Sequence, residues 1–244
     1  MPVRVYAQVT PTRNDGSSNF RAAALVTNNG ISLLPSFSLG KPAAQFDLSM
    51  FGKRLGFEPQ IRYALEGKPW SYIFWLRYKA IKGDKFFLTV GAHPALIFRQ
   101  LTATVNGIPR DYQAAQRYIA GEVAPNYRVS RKATIGLYYL RGHGLDRGTV
   151  SNTHFVALNS SFSNVKLYNK VYLRFVSQVY SLKQANNQGY YISTTSILYN
   201  PAFPLSVGAI TNHTLRTEIP NSKPFLWNLS LIWTYSANFR QLKD

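Results

Sequence analysis

The segment FLWNLSLIWTYS, Phe225 to Ser236, alternates large apolar with mostly small polar residues. Phe225, Trp227, Leu229, Leu231, Trp233 and Tyr235 stand in one phase, and Asn228, Ser230, Thr234 and Ser236 in the other. A period of two describes a β-strand with one greasy and one wet face. The same pattern recurs along nearly the whole chain, and it constrains the fold more than any other feature. VRVYAQV (3–9) sets Val3, Val5, Ala7 and Val9 against Arg4, Tyr6 and Gln8. AQFDLSM, FEPQIRYAL and WSYIFWLRYK repeat the arrangement with Asp47, Glu58, Arg62, Arg77 and Lys79 in the polar phase.

Strands are expected at 3–9, 19–27, 31–39, 44–50, 57–65, 70–79, 85–98, 117–128, 132–141, 152–163, 170–182, 189–199, 205–214 and 224–236. That gives about 14 strands, or 12 if one or two segments are not strands. Residues 111–122 are the best helix candidate, and a poor one. Asn28-Asn29-Gly30 reads as a hairpin turn. Connections alternate between long (TPTRNDGSSN, 99–116, RGHGLDRGTVS, KQANNQG, LRTEIPNSKP) and short (NNG, KGD, VSRK, NPAFP), with the short GKPA and EGKP as exceptions. An even number of antiparallel strands with that alternation describes an up-and-down barrel of the outer-membrane type. No linker interrupts the pattern, so residues 1–244 are expected to form one barrel domain, with a short tail from about 240. Pro35, Pro59, Pro94 and Pro125 fall inside expected strands, where a missing N–H weakens a ladder, so bulges or strand ends are expected there.

A soluble β-sandwich also alternates, and three observations favour lipid over a sandwich core. The strands reach the roughly 9–11 residues that a tilted spanning strand needs. Most acidic residues lie in turns, and Asp47, Glu58 and Glu122 stand opposite in phase to the apolar stripe. Trp70, Tyr72, Tyr78, Trp227, Trp233 and Tyr235 lie on the apolar stripes, most near strand ends, and are expected to face lipid as interfacial girdles. No apolar run is long enough for a spanning helix, mean hydropathy is −0.16, and Cys is absent. MPVRVYAQV enters a strand pattern directly, so the sequence reads as the mature form of an exported protein with an added Met.

The blocks LPSFSLGKPAAQFDLSM, FEPQIRYALEGKPWSYIFWLRYK, NYRVSRKATIGLYYLRGHG and KPFLWNLSLIWTYS resemble an outer-membrane β-barrel family of Bacteroidota, over most of the chain. The EGKPWS and FWLRYK portions are the most specific. The resemblance implies fold and bacterial outer-membrane location, and it carries over no catalytic residue. Phe239 keeps the phase of Trp233 and Tyr235, as the terminal aromatic of a barrel-assembly signal would.

The chain holds 28 Lys and Arg against 10 Asp and Glu, a net charge of +18, which implies an anionic partner. The polar phase puts Arg4, Arg21, Arg62, Arg77, Lys79, Arg128 and Arg174 inside, with Asp47, Glu58 and Glu122. Such a lumen suits a channel for small anionic solutes, because cationic linings select anions and Arg binds carboxylate and phosphate bidentately. The alternative is a plugged structural or accessory barrel of an outer-membrane complex, with Asp47, Glu58 and Glu122 paired to Arg4, Arg62 and Arg128. Further basic residues at both rims, among them Lys53, Arg54, Lys82, Lys85, Arg131 and Lys132, suit anionic lipid head groups.

Neither catalysis nor a cofactor is expected. His93, His143, His154 and His213 are scattered, with no paired metal-ligand spacing, and no nucleophile motif or Gly-rich phosphate loop is present. A basic all-β nucleic-acid coat protein is a further alternative. Such proteins concentrate charge in an arm or a groove, whereas here it is spread over turns and inward positions, so nucleic acid is not the expected partner.

Overall fold

The computed structural model describes residues 18–105 and 107–239. Six strands form the first half: β1 (Ser18–Thr27), β2 (Ala43–Phe51), β3 (Leu55–Ala64), β4 (Pro69–Lys82), β5 (Phe86–Val105) and β6 (Ile108–Arg128). Six more follow: β7 (Ala133–Gly144), β8 (Thr153–Tyr168), β9 (Val171–Gln184), β10 (Asn187–Tyr199), β11 (Leu205–Thr217) and β12 (Phe225–Phe239). Each pairs antiparallel with its chain neighbours, and β1 pairs with β12 from Ser18↔Phe239 to Thr27↔Ser230, closing the barrel. Closure leaves no open edge, so backbone donors and acceptors find partners within the wall.

The alternation sorts side chains as expected. Outward-phase residues such as Phe46, Leu76, Val123, Leu158, Val179 and Leu231 are large and exposed all around the wall, and inward-phase residues are mostly buried. A continuous apolar girdle of that kind is far larger than the patches soluble monomers expose. The chain is a transmembrane β-barrel.

Among the described residues twelve strands close the barrel, the lower of the two expected numbers, and two expected segments are not among them. Residues 3–9 lie outside the described residues. Residues 31–39 are not a strand: they belong to the 28–42 connection, which folds back into the barrel with a short 3-10 turn at Pro35–Phe37. Their alternation is satisfied by lumen packing instead of strand pairing. Pro35 opens the 3-10 turn, where its missing N–H costs nothing. The neck of the loop is pinned by Gly30 N–H to Lys41 O at 2.8 Å and Leu39 N–H to Gly30 O at 2.8 Å. Asn28-Asn29-Gly30 therefore starts a long connection rather than a hairpin, and GKPA ends it. Residues 111–122, the weak helix candidate, lie in β6.

Connections 52–54, 83–85, 129–132, 169–170 and 200–204 occupy one end of the barrel, where β1 also begins and β12 ends. Connections 28–42, 65–68, 106–107, 145–152, 185–186 and 218–224 occupy the other. Of the prolines expected inside strands, Pro59, Pro94 and Pro125 keep the outward phase, and each coincides with a break in one ladder. No β2–β3 pairs bridge Asp47↔Gln60 and Met50↔Phe57, around Pro59. The β4–β5 ladder skips from Ile73↔Ala95 to Leu76↔Ala92 at Pro94, and the β6–β7 ladder from Val123↔Tyr139 to Asn126↔Gly136 at Pro125. Proline donates no hydrogen bond, so the ladder yields on the side that needed one.

Gly136 pairs with Asn126 on β6 and Asn159 on β8, and a Cβ there would press on Asn126 and come within 3.1 Å of Asn159 Oδ1. Gly136→Val is expected to destabilise the barrel by about 1–3 kcal/mol through overpacking, read as a lower urea midpoint in detergent. Adding Asn126→Ala should recover part of the loss; a single variant with an unchanged midpoint would mean that the wall gives way freely at this point.

Candidate functional site: the barrel lumen

The lumen is divided into three zones. The first is an acid–base cluster on β3, β4 and β6. Arg77 reaches Glu58 with Nη1 and Glu122 with Nε, the latter at 2.5 Å, and its Nη2 lies 3.3 Å from Glu122 Oε2. Tyr138 O–H donates to Glu122 at 2.7 Å, Ser49 O–H donates to Glu58 at 3.2 Å, and the Arg77 guanidinium lies 4.1 Å from the Trp75 ring centroid. Arg77 is only 3% exposed. It is a lumenal residue, as expected, but the two carboxylates and the indole shut it away from any solute path. Buried charges survive only when paired and hydrogen-bonded in this way. The pairing differs from the one anticipated. Arg77 takes both Glu58 and Glu122, Asp47 lies within electrostatic reach of Arg62, and Arg128 donates to Asp84 O at the short-turn rim.

The second zone is apolar. Trp75, Tyr138, Leu140, Phe155, Tyr180, Leu182 and Tyr191 pack together inside, against Leu34 of the 28–42 loop and Ile219 of the 218–224 connection. Tyr180 stacks on Tyr191 at 4.9 Å and lies against Phe155 at 4.8 Å. The loop is latched at several points. Trp70 donates from Nε1 to Phe37 O at 2.9 Å, Arg99 donates to Ser36 O at 3.1 Å, and Phe37 meets Tyr118 edge-on at 5.2 Å.

The third zone is a cleft of about 80 Å³ along β9–β12 and β1, lined by polar side chains and by the apolar Leu25, Ile197 and Ile232. Thr27, Gln45, Gln178, Ser193, Asn212, Asn228 and Ser230 line it together with Arg62 and Trp70. A second cleft of similar volume runs beside Trp75, His93 and Tyr118. Ser32, Leu33 and Arg62 border both, so the loop stands between the two.

Trp70 is a correction to the expected girdle. A register shift between Arg62 and Tyr63 leaves Trp70 as the extra residue between Ser71 and Pro69, and the ring turns inward, 3% exposed, with Arg62 5.2 Å from its centroid. Tyr72, Tyr78, Trp227, Trp233 and Tyr235 face outward. Tyr72 and Trp227 lie toward the long-connection end, and Tyr78, Trp233 and Tyr235 toward the other. Among the expected lumen residues, Arg4 lies outside the described residues. Arg21, Asp47, Glu58, Arg62, Arg77, Lys79, Glu122, Arg128 and Arg174 all fall in the inward phase. Arg21 and Arg174 are near the starts of β1 and β9, and Lys79 and Arg128 near the ends of β4 and β6, so all four gather toward the short-turn mouth.

The sequence reading missed the loop inside the lumen and Arg99. The expected strand 85–98 stops one residue short of Arg99, which shares the inward phase of Ala95 and Ile97. Beyond the mouth at the other end, Arg117 donates to Asp146 from its side chain at 2.6 Å and its backbone at 2.6 Å. The side-chain bond, more than the backbone one, holds the Asp146 carboxyl below the usual carboxylate range.

No family model matches the chain, and no curated protein matches it in sequence. Solved structures do. An outer-membrane channel from Pseudomonas putida F1 is similar at a TM-score of 0.52, with 10% identity over 94% of this chain and 100% of that one. The NanC porin (TM-score 0.48, 7% identity, 89% and 98% covered) and the β domain of the Bordetella autotransporter BrkA (0.46, 10%, 90% and 99%) are similar at lower scores. At such identity the likeness concerns the fold, which is that of bacterial outer-membrane barrels.

Arg77→Met would leave Glu58 and Glu122 buried without their shared cation, and a loss of about 3–5 kcal/mol is expected, measured by urea unfolding in detergent. Combining it with Glu58→Gln and Glu122→Gln should restore most of the stability. A single variant as stable as the parent would mean that the cluster does not anchor the wall.

Proposed function

We propose that this protein is a bacterial outer-membrane channel for small anionic solutes. Its path runs along the polar β9–β12 and β1 side of the lumen, with the 28–42 loop as an internal constriction. One observation carries the reading: the charge of the inward phase. Arg21, Arg62, Arg77, Lys79, Arg99, Arg128 and Arg174 stand against Asp47, Glu58 and Glu122. Glu58 and Glu122 are engaged by Arg77, and Asp47 lies within electrostatic reach of Arg62. Among the described residues the inward cations outnumber the inward carboxylates, and Arg21, Lys79, Arg128 and Arg174 gather toward the short-turn mouth. A cationic mouth over low-dielectric walls concentrates anions. The exposed apolar outer face supports membrane insertion, and the resemblance to a Bacteroidota barrel family supports the outer membrane.

A plugged structural or accessory barrel is the second reading. It is favoured by the inward loop and by the aromatic cluster that fills the β4–β10 side of the lumen. Recording the refolded protein in a planar bilayer under a KCl gradient separates the two. The channel predicts discrete steps with a reversal potential favouring chloride. Lys79→Glu with Arg174→Glu should move that potential toward cation preference, and replacing residues 32–38 by a short Gly-Ser link should raise conductance severalfold. Silence from folded protein, with and without the loop, would establish the plugged barrel. A protein that folds and stays monodisperse without detergent would overturn both readings in favour of a soluble basic protein.

A further inference from the structure

The basic residues of the two rims are not equivalent. At the long-connection end, carboxylates are interspersed with the cations and engaged. Glu66 lies 3.6 Å from Lys41 and 3.8 Å from Lys68, Asp146 binds Arg117, and Asp111 accepts from Thr102 at 2.6 Å. At the short-turn end the balance among the described residues is one-sided. The β2–β3 turn carries Lys53 and Arg54, Lys82 and Lys85 flank the β4–β5 turn, and the β6–β7 turn carries Arg131 and Lys132. Lys166 and Lys170 border the β8–β9 turn, whereas the 200–204 turn, NPAFP, has no charge. Asp84 is the one carboxylate in or beside these turns. All eight cations are exposed.

The collar is thus an arc over four consecutive turns, and it shares its depth with the apolar belt. Arg54 bends over the outward-facing Tyr78, with its guanidinium 6.0 Å from the ring centroid, while its Nη1 donates to Ala80 O at 3.1 Å. Leu55, Ile81, Phe86, Tyr127 and Leu167 are exposed among the same turns. Cations interleaved with lipid-facing aromatic and aliphatic side chains sit where acyl chains give way to phosphates. A soluble acidic protein would meet the apolar residues as well, at a depth that lipid already occupies.

We infer that this arc is a binding surface for the head groups of anionic phospholipids, which it gathers along one side of the barrel at the short-turn end. The inference rests on the barrel being embedded in a membrane. Detergent dependence tests that separately: a detergent-requiring barrel without lipid preference defeats the collar alone.

The test is native mass spectrometry of the whole barrel released from micelles containing phosphatidylglycerol or phosphatidylcholine with matched acyl chains. The wild type is expected to retain phosphatidylglycerol at least about fivefold over phosphatidylcholine, in line with additive attraction by several basic residues. Lys53→Gln, Arg54→Gln, Lys82→Gln, Lys85→Gln, Arg131→Gln and Lys132→Gln together should bring the ratio close to unity. An equally discharged long-connection end (Arg110→Gln, Arg141→Gln, Arg147→Gln, Lys183→Gln, Arg216→Gln, Lys223→Gln) should leave it unchanged. Absence of preference in the wild type, or equal loss in both variants, would overturn the inference. Displacement of the lipid by millimolar inorganic phosphate would overturn it in favour of a small-anion site. If the collar variant does not fold, a salt titration of the wild type decides: the preference should fall as NaCl rises, and indifference to salt would sink the proposal.

Discussion

Closure of the wall is the constraint on which everything else depends. In hydrocarbon an unpaired backbone N–H or C=O costs several kcal/mol, so the sheet must end on itself, and β1 meets β12 over Ser18 to Thr27. Once closed, the wall has only two faces. The alternation then leaves no choice: Trp227, Leu229, Leu231 and Trp233 go to lipid, and Asn228, Ser230 and Ile232 go inside. The breaks at Pro59, Pro94 and Pro125 are tolerated because each affects one ladder only, while the partner strand on the other side stays in register.

The interior follows from a different balance. A barrel of twelve strands encloses more space than its own side chains fill. Here the 28–42 connection enters that space and brings its own satisfied backbone. Ser32 N–H bonds Ser38 Oγ at 3.0 Å, Phe37 N–H bonds Leu34 O at 2.9 Å, and Trp70 and Arg99 hold the carbonyls of Phe37 and Ser36. A loop can be buried only on those terms. Its apolar side chains then complete the aromatic cluster on one side, and the space that remains lies against the polar side chains of β9–β12 and β1.

Charge is distributed with the same economy. The lumenal carboxylates Glu58 and Glu122 are held by Arg77, Asp47 lies within electrostatic reach of Arg62, and Arg21, Lys79, Arg128 and Arg174 lie toward one mouth. Outside, that same end carries turns rich in Lys and Arg and poor in carboxylate, whereas the opposite end mixes the two signs. The barrel is polarised along its axis as well as across its wall.

The sequence alone determined the phase. A period of two requires that Arg62, Arg77, Glu58 and Glu122 share the face opposite Phe57, Leu76 and Val123, whatever the strand order. It likewise determined the barrel class, through strand length and the apolar phase, whereas the expected long connection at 99–116 is a tight turn between β5 and β6. Partner choice lay beyond it. Glu58 and Glu122 are 19 and 45 positions from Arg77, and only the order and register of β3, β4, β5 and β6 bring all three together. Residues 31–39 alternate as a strand would, yet pack as a loop, because Leu33 and Phe37 find apolar partners in the lumen that no local pattern encodes. Trp70 shows the same limit at a single residue: one bulge between Arg62 and Tyr63 turned a ring read as lipid-facing into a latch on the inner loop. Periodicity specifies which way a side chain points only while the ladder is regular; where the ladder slips, the tertiary structure decides.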